Sequence, residues 1–294
     1  EPQAAPYLPD PQILKLAEWL GDVVEPADFP MPELRFRNRR WDKAVGLGDM
    51  SDADWVRDLA RFEPLPNNIP APIAQRYHGH QFRVYNPEIG DGRGFTFAQM
   101  RDADRRLLDL GTKGSGQTPY SRFGDGRLTL KGGVREVLAT QMLEALGVET
   151  SKTFSLIETG EALERNDEPS PTRAAVLVGL GHGHIRIGTF QRLAFFNQAE
   201  EMARLVDYCL LHYHGEAPGG DAPVRLLARL AEGAARLAAP YIAAGFVHGV
   251  LNSDNIAIST ESFDYGPWRW TPYWDVNFTA AYFDHAGLYA FGRQ

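Results

Sequence analysis

Cysteine is nearly absent: the 294 residues contain one, Cys209. A single thiol makes no internal disulfide and no cysteine-based zinc site, so a disulfide-stapled secreted fold is excluded. No apolar run reaches the roughly 20 residues that a membrane helix needs, so no membrane partner is expected. Positive charge is in the minority. There are 30 Lys and Arg against 38 Asp and Glu, a net charge of −8. A general nucleic-acid binder carries the opposite excess, because it neutralises phosphates, and no nucleic-acid partner is expected. Internal repeats, low-complexity tracts and long linkers are also missing. The chain opens at Glu1 rather than at a methionine, so the lack of a targeting peptide says little. A cytoplasmic location is the expectation.

What remains is ordinary globular composition, with 44% hydrophobic, 23% charged and 11% aromatic residues. That is enough to bury a sizeable core in one large domain or two modest ones. A mainly disordered chain is excluded, because low hydrophobicity is what stops a chain from offsetting its folding entropy.

The organisation changes along the chain. The first 75 residues are rich in proline and charge and read as an N-terminal extension. Short helices are expected over 11–20 and over 52–61, the second capped by Ser51. The run Arg35-Phe-Arg-Asn-Arg-Arg40 reads as a solvated arm or a surface cluster, with phosphate contact as the alternative. Residues 76–195 read as a β-rich lobe. It has strands over 94–100 and 107–113 with a hairpin turn at 102–104, then a glycine-rich loop over 114–126. A helix over 134–146 ends at Gly147, and strands follow over 153–158 and 173–178. Residues 196–294 read as a helical lobe, with amphipathic helices over 199–213 and 224–238. A loop over 247–255 and a short strand over 256–258 then lead to a turn at Asp264-Tyr-Gly266. The whole is α+β, two lobes with a cleft between them.

Three constellations carry chemistry. Asp254, Asn255 and Asp264 offer two carboxylates and an amide oxygen near loop ends, which suits a hard divalent ion such as Mg²⁺. Read alone, an Asp-Asn pair is as readily a turn. Lys113, at the end of a strand, and Glu136, in the next helix, suit a phosphate-contacting lysine held by a helix glutamate. Alone they would be a surface ion pair worth little. Taken together, the order Lys, Glu, Asp, Asn, Asp is the order in which protein kinases use these groups, with compressed spacing. Two Gly-Asp-Gly-Arg turns form the third group. One holds Gly90, Gly92 and Arg93, the other Asp125, Gly126 and Arg127. Backbone N–H groups and a guanidinium fork there suit phosphate, although hairpin turns would look the same. Arg186 follows a strand and suits the same anion.

Other features read as structure. Cys209 falls in an apolar helical stretch and reads as core. The pairs His78/His80, His182/His184 and His212/His214 have ligand-like spacing, but no third ligand is placed by sequence. The aromatic tail, including Trp268 and Trp270, reads as packing, with stacking on a base as the alternative.

The chain resembles the selenoprotein O family of protein adenylyltransferases, called YdiU in bacteria. The matching motifs are His78-Gly-His-Gln-Phe82, Gly90-Asp-Gly-Arg93, Lys113-Gly-Ser-Gly116, Thr118-Pro-Tyr-Ser-Arg-Phe-Gly-Asp-Gly-Arg127, Val134-Arg-Glu136, His184-Ile-Arg-Ile-Gly188 and His248-Gly-Val-Leu-Asn-Ser-Asp-Asn255 through Asp264-Tyr-Gly-Pro267. They run in family order over roughly residues 70–294. The resemblance implies a protein-kinase-like fold with a β-rich N-lobe and a helical C-lobe. It implies transfer of AMP from ATP to Ser, Thr or Tyr hydroxyls of proteins, with Mg²⁺ or Mn²⁺ as cofactor. By the same resemblance Asp254 is the proton acceptor, and Asn255 and Asp264 hold the metal. Gly90, Gly92, Arg93, Lys113, Glu136, Asp125, Gly126, Arg186 and Asp264 bind or line the nucleotide. There are two departures. The family places an Arg seven residues before the Arg of His-Ile-Arg, where this chain has Gly179. Family members also continue well beyond residue 294, so an incomplete C-lobe without the family's C-terminal cysteines or selenocysteine is expected. Two other readings stay open: a kinase that transfers the γ-phosphoryl group, and a nucleotide-binding pseudoenzyme. A glycosidase built on the paired carboxylates leaves Lys113 and the glycine loops unexplained.

Overall fold

The computed structural model describes all residues from Glu1 to Gln294. In chain order the N-terminal part forms helix α1 (Ala17–Leu20), strands β1 (Gly21–Val23) and β2 (Glu33–Arg37), and helices α2 (Arg39–Ala44) and α3 (Asp52–Ala60). Strands β3 (Ile73–Gln75), β4 (Gly79–Gln81), β5 (Val84–Asn86), β6 (Thr96–Arg101), β7 (Leu107–Lys113) and β8 (Leu128–Thr129) come next. Helix α4 (Leu130–Ala145) then precedes β9 (Lys152–Leu163) and β10 (Thr172–Gly181). Helices α5 (Ile187–Phe195), α6 (Ala199–His214) and α7 (Ala222–Ala244) follow, then β11 (Phe246–Val247) and β12 (Arg269–Trp270). The fold is therefore α+β, and its main sheet is antiparallel, in the order β1, β3, β6, β7, β10, β9, β2, with β8 also paired to β10.

The chain divides into two compact units. The first comprises Glu1–Arg76, Glu88–Leu138 and Lys152–His184, and the second Tyr77–Pro87, Ala139–Ser151 and Ile185–Gln294. The main sheet lies wholly in the first unit, and its side chains alternate between two cores as a pleated strand requires. On β10, Val176, Val178 and Leu180 join a large cluster with Trp55, Leu59, Phe97 and Phe154. Ala175 and Leu177 of the same strand face Leu128 and Leu156, with Leu130 and Val137 of α4 packed on them. Burial on both faces explains why β10 reads as a nearly continuous apolar run from Ala174 to Leu180.

Local signals account for much of this. Ser51 caps α3 by accepting a hydrogen bond from the Asp54 N–H at 3.1 Å, and Asp52 and Asp54 in the first turn favour the positive end of the helix dipole. Trp55 and Leu59, four residues apart, supply its buried face. Strand β7 has the bounds expected from sequence, and β9 and β10 run longer than expected.

Several expectations need correction. Helix α4 starts at Leu130, not 134, and so includes Gly132 and Gly133. A Cβ at Gly133 would lie 2.4 Å from Leu156 Cδ1. Close helix–sheet approach therefore favours glycine there, against its helix propensity. The Arg35–Arg40 run is no solvated arm. It ends β2 and begins α2, with the Asn38 side chain accepting from the Trp41 N–H. Arg37 is buried, donating to Asp42 at 2.6 Å. Residues 256–258 make only a single antiparallel bridge, Ala257 to Arg186, in place of a strand. Helix α5 was not expected from sequence at all, and α7 continues six residues past 238, through Pro240 to Ala244.

The second unit has its own core. Ala139, Leu143 and Val148 pack with Leu237, Tyr241, Phe246, Tyr265 and Trp268. Trp268 and Trp270 lie 4.9 Å apart in an edge-to-face pair, and both pack on Phe246. The packing reading of the aromatic tail therefore holds for these two residues. Cys209 is fully buried in α6. No helix is long and apolar enough to cross a membrane.

Candidate functional site

In the first unit, Lys113 closes β7, and its ammonium donates to Glu136 Oε1 of α4 at 2.5 Å. The side chains are 17% and 9% exposed. This pair is partly buried, and desolvation strengthens its electrostatics relative to a surface pair. The first Gly-Asp-Gly-Arg turn lies against the residues that follow Lys113. The Arg93 carbonyl accepts from the Gly114 N–H at 2.6 Å and from the Ser115 N–H at 3.2 Å. The second turn joins the same loop, with Gly116 N–H donating to the Gly126 carbonyl at 3.2 Å. Lys113, Glu136, Gly90, Gly92, Arg93, Asp125 and Gly126 are thus all in this unit.

The turns also have structural reasons for their glycines. A Cβ at Gly90 would fall 2.5 Å from the Tyr120 ring, and one at Gly126 would fall 2.3 Å from the backbone of Gly116. Asp125 is engaged within the protein. Its carboxylate meets Arg165 at 2.8 Å and accepts from the Arg127 N–H at 2.9 Å. Burial pushes its pKa up, but these hydrogen bonds and the two guanidinium charges outweigh burial and hold it below the usual range. Gly179 lies on β10 opposite Gly111 of β7. A Cβ there would meet nothing nearer than the Gly111 and Lys152 carbonyl oxygens, at 3.9 and 4.0 Å.

In the second unit, Asp254, Asn255, Asp264 and Arg186 come together. Arg186 Nη1 donates to the Asp254 carbonyl at 3.1 Å and to Asp264 Oδ2 at 3.2 Å. The Asn255 amide donates to that same Oδ2 at 3.1 Å. The Arg186 guanidinium also lies over the Tyr77 ring at 4.2 Å, a cation–π contact. Asp264 has φ +57°, in the left-handed region that Asp tolerates better than most residues. The bridge between Ala257 and Arg186 brings the Asp254 loop to the start of α5.

Asp254 is 7% exposed. Its Oδ2 accepts from Gln81 Nε2 at 2.9 Å, while its Oδ1 is buried with no hydrogen-bond partner. Burial raises its pKa, opposed by the Gln81 hydrogen bond, its own backbone N–H and the Arg186 charge, with the charge of Asp264 adding to the rise. The Asp264 carboxylate and the Asn255 side-chain amide, which meet at 3.1 Å, supply oxygens of the kind a hard cation takes, and Mg²⁺ typically takes only one or two carboxylates. No three His, Cys, Asp or Glu side chains gather anywhere as a metal cluster.

The histidine pairs have other work. His182 Nδ1 meets the Leu107 carbonyl at 2.9 Å, and the His212 ring packs on Tyr208. His248 Nε2 donates to the Phe263 carbonyl at 3.2 Å. His78 is buried beside Tyr85, 2.7 Å from its hydroxyl. Sequence reasoning missed Gln81, whose amide meets Asp254, and Gln191, which meets the neighbouring Ser253. The signal for Gln81 lay in His78-Gly-His-Gln-Phe82, which carried no assigned role.

Comparison with known proteins adds the family. The family model described as Protein adenylyltransferase SelO matches residues 7–294. The chain is 49% identical over 291 residues to the protein nucleotidyltransferase YdiU of Synechocystis sp., covering 97% of this chain and 60% of that protein. It is 48% identical over 302 residues to the YdiU of Synechococcus elongatus, covering 100% of this chain and 60% of the relative. The YdiU of Aeromonas salmonicida is 36% identical over 276 residues, at 94% and 56% coverage. The chain thus spans about 60% of the length of the Synechocystis and Synechococcus relatives. On the extent of the family match and the identity to these relatives, the chain belongs to the SelO family of protein adenylyltransferases.

Proposed function

We propose that this chain transfers AMP from ATP to a Ser, Thr or Tyr hydroxyl of a protein, on a two-lobed, protein-kinase-like fold. In this reading residues 1–75 extend a nucleotide-binding lobe over 76–195, and 196–294 form part of a helical lobe. The observation that carries it is the grouping of Asp254, Asn255 and Asp264 around Arg186. The partly buried Lys113–Glu136 pair supports it.

The acceptor oxygen attacks the α-phosphorus of ATP. The bond from that phosphorus to the oxygen bridging the β-phosphorus breaks, and pyrophosphate leaves. Asp254 takes the hydroxyl proton. Lys113, held by Glu136, places an ammonium against the phosphates, and Arg93 and Arg186 add guanidinium charge. Gly90, Gly92, Asp125 and Gly126 line the nucleotide. Asn255 and Asp264 would hold Mg²⁺ or Mn²⁺, which neutralises phosphate charge when bound. For Arg186 and Asp264 to serve nucleotide and metal, the hydrogen bond joining them must rearrange.

The test supplies ATP labelled at the α- or the γ-phosphate, with Mg²⁺ or Mn²⁺ and a mixed protein extract. Protein labelling from the α-position, abolished by Asp264→Ala, is expected. Labelling from the γ-position alone would make the chain a kinase, and labelling from neither a nucleotide-binding pseudoenzyme. Transfer that survives Asp264→Ala would remove Asp264 from the metal site.

A further inference from the structure

We propose, on the reading of Asp254 as proton acceptor, that Gln81 is a positioning residue whose side-chain amide fixes the Asp254 carboxylate for the transfer. The observation is local to the second unit. Strands β4 and β5 form a hairpin with the register Gly79–Asn86, His80–Tyr85 and Gln81–Val84. Its turn residues, Phe82 and Arg83, have φ values of +53° and +64°. Two-residue hairpin turns of this hand ordinarily use Asn and Gly. Here two bulky residues adopt the disfavoured conformation, which persists only where surrounding contacts hold it.

Hydrogen bonds from the hairpin reach the loop that carries Asp254, one of them through Tyr289. The Phe82 N–H donates to the Tyr289 hydroxyl at 2.8 Å, and that hydroxyl donates to Asn252 Oδ1. The His80 N–H donates to Ser253 Oγ at 2.9 Å, and Ser253 Oγ donates to Gln191 Oε1 at 2.7 Å. Gln81 Nε2 donates to Asp254 Oδ2 at 2.9 Å. Three successive loop residues, Asn252, Ser253 and Asp254, are therefore tied to one hairpin.

The direction of the Gln81 amide is set from its other side. Asn86 Nδ2 donates to Gln81 Oε1 at 3.1 Å, so the Gln81 NH₂ group is the end left for the carboxylate. Gly79 completes the grip. A Cβ at that position would lie 2.7 Å from Asp254 Oδ1, so the strand passes as close to the carboxylate as only glycine allows. One carboxylate oxygen is held by an amide and the other is bounded by backbone, which stops the carboxylate plane from rotating. Proton transfer depends steeply on such orientation.

Gln81→Met keeps the length and volume of the side chain and removes the donor. In the full chain, with α-labelled ATP, Mn²⁺ and a mixed protein extract, it is expected to lower the maximal labelling rate tenfold or more. The KM for ATP should stay within twofold and the thermal midpoint near that of the parent, a split that a merely structural role would not give. Gln81→Asn, one methylene too short to reach Oδ2, should repeat the loss and serves if the Met variant folds poorly. A maximal rate near that of the parent in either folded variant, or a fall matched by an equal rise in KM, overturns the assignment of Gln81. Asp254→Ala separates this from the reading beneath it. Full labelling by Asp254→Ala refutes Asp254 as proton acceptor, whereas no labelling by Asp254→Ala with full labelling by Gln81→Met refutes the role of Gln81 alone.

Discussion

Arg37→Ala is expected to destabilise the first unit by about 4 kcal/mol. Arg37 Nε donates to Asp42 Oδ2 at 2.6 Å, with side-chain exposures of 3% and 0%. Its other nitrogens donate to the Met50 carbonyl at 2.8 Å and the Leu47 carbonyl at 2.9 Å, and its guanidinium lies 3.9 Å from the Trp55 ring centre. Truncation leaves the Asp42 carboxylate buried. Its Oδ1 already lacks a partner, and Arg39, mostly exposed, approaches only to 3.7 Å. Breaking a buried pair from one side costs roughly 3–5 kcal/mol, because the remaining charge stays desolvated. The freed carbonyls of the 47–50 loop can recruit water, so they add no more than about 1 kcal/mol. At roughly 2–4 °C per kcal/mol for a unit of this size, the midpoint falls by about 8–16 °C. Differential scanning calorimetry reads this directly. The double variant Arg37→Met/Asp42→Leu removes both charges and keeps apolar volume, so it should recover more than half of the loss. A fall of less than about 3 °C for Arg37→Ala, or a double variant as unstable as the sum of the two single changes, would refute the reasoning.

Three further expectations follow from the same geometry. Lys113→Ala should weaken ATP binding about tenfold or more, the worth of one charge-assisted contact, in a calorimetric titration; unchanged affinity would take Lys113 away from the phosphates. Gly179→Arg should fold with a midpoint within about 2 °C of the parent, because its Cβ would meet only atoms at 3.9 Å or beyond, and it should bind ATP more tightly by restoring the charge that the family pattern places there; a large loss of stability would show that the space is not there. His78 has its pKa pushed down from 6.5 to about 4, by burial first and by the Arg192 charge second. Its unfolded form takes up a proton before the folded form does, so the His78 contribution to stability is full above about pH 6.5 and is lost as pH falls toward 4. Thermal midpoints measured across that window for the parent and for His78→Phe should converge toward acid pH, and parallel curves would reject the assignment.

Some parts of this protein were legible one residue at a time. Strand β7 and the hairpin turn before it, the Ser51 cap, Gly147 beyond α4 and the helical run of α6 all depend on signals within a few residues of one another. The pairing of Lys113 with Glu136, 23 residues apart, was legible only through the order Lys, Glu, Asp, Asn, Asp, since alone it reads as a surface ion pair. Asp254, Asn255 and Asp264 were legible as an order of residue types, an adjacent pair followed nine positions on by a second Asp. Other parts were hidden because a distant segment decides them. The start of α4 at two glycines makes sense only against Leu156, which arrives from β9. The basic run at 35–40 looked solvated because nothing nearby in sequence announces that Asp42 and three carbonyls will surround Arg37. Gln81 gave no chemical signal, because a glutamine matters to a carboxylate 173 residues away only when folding places them 2.9 Å apart. Composition, periodicity and motif order are properties of neighbours along the chain, and they pointed to most of the elements, though not to α5, to the family resemblance and to the candidate residues. Burial, ion-pair partners and the grip on Asp254 are properties of neighbours in space, and those were decided only when the chain closed on itself.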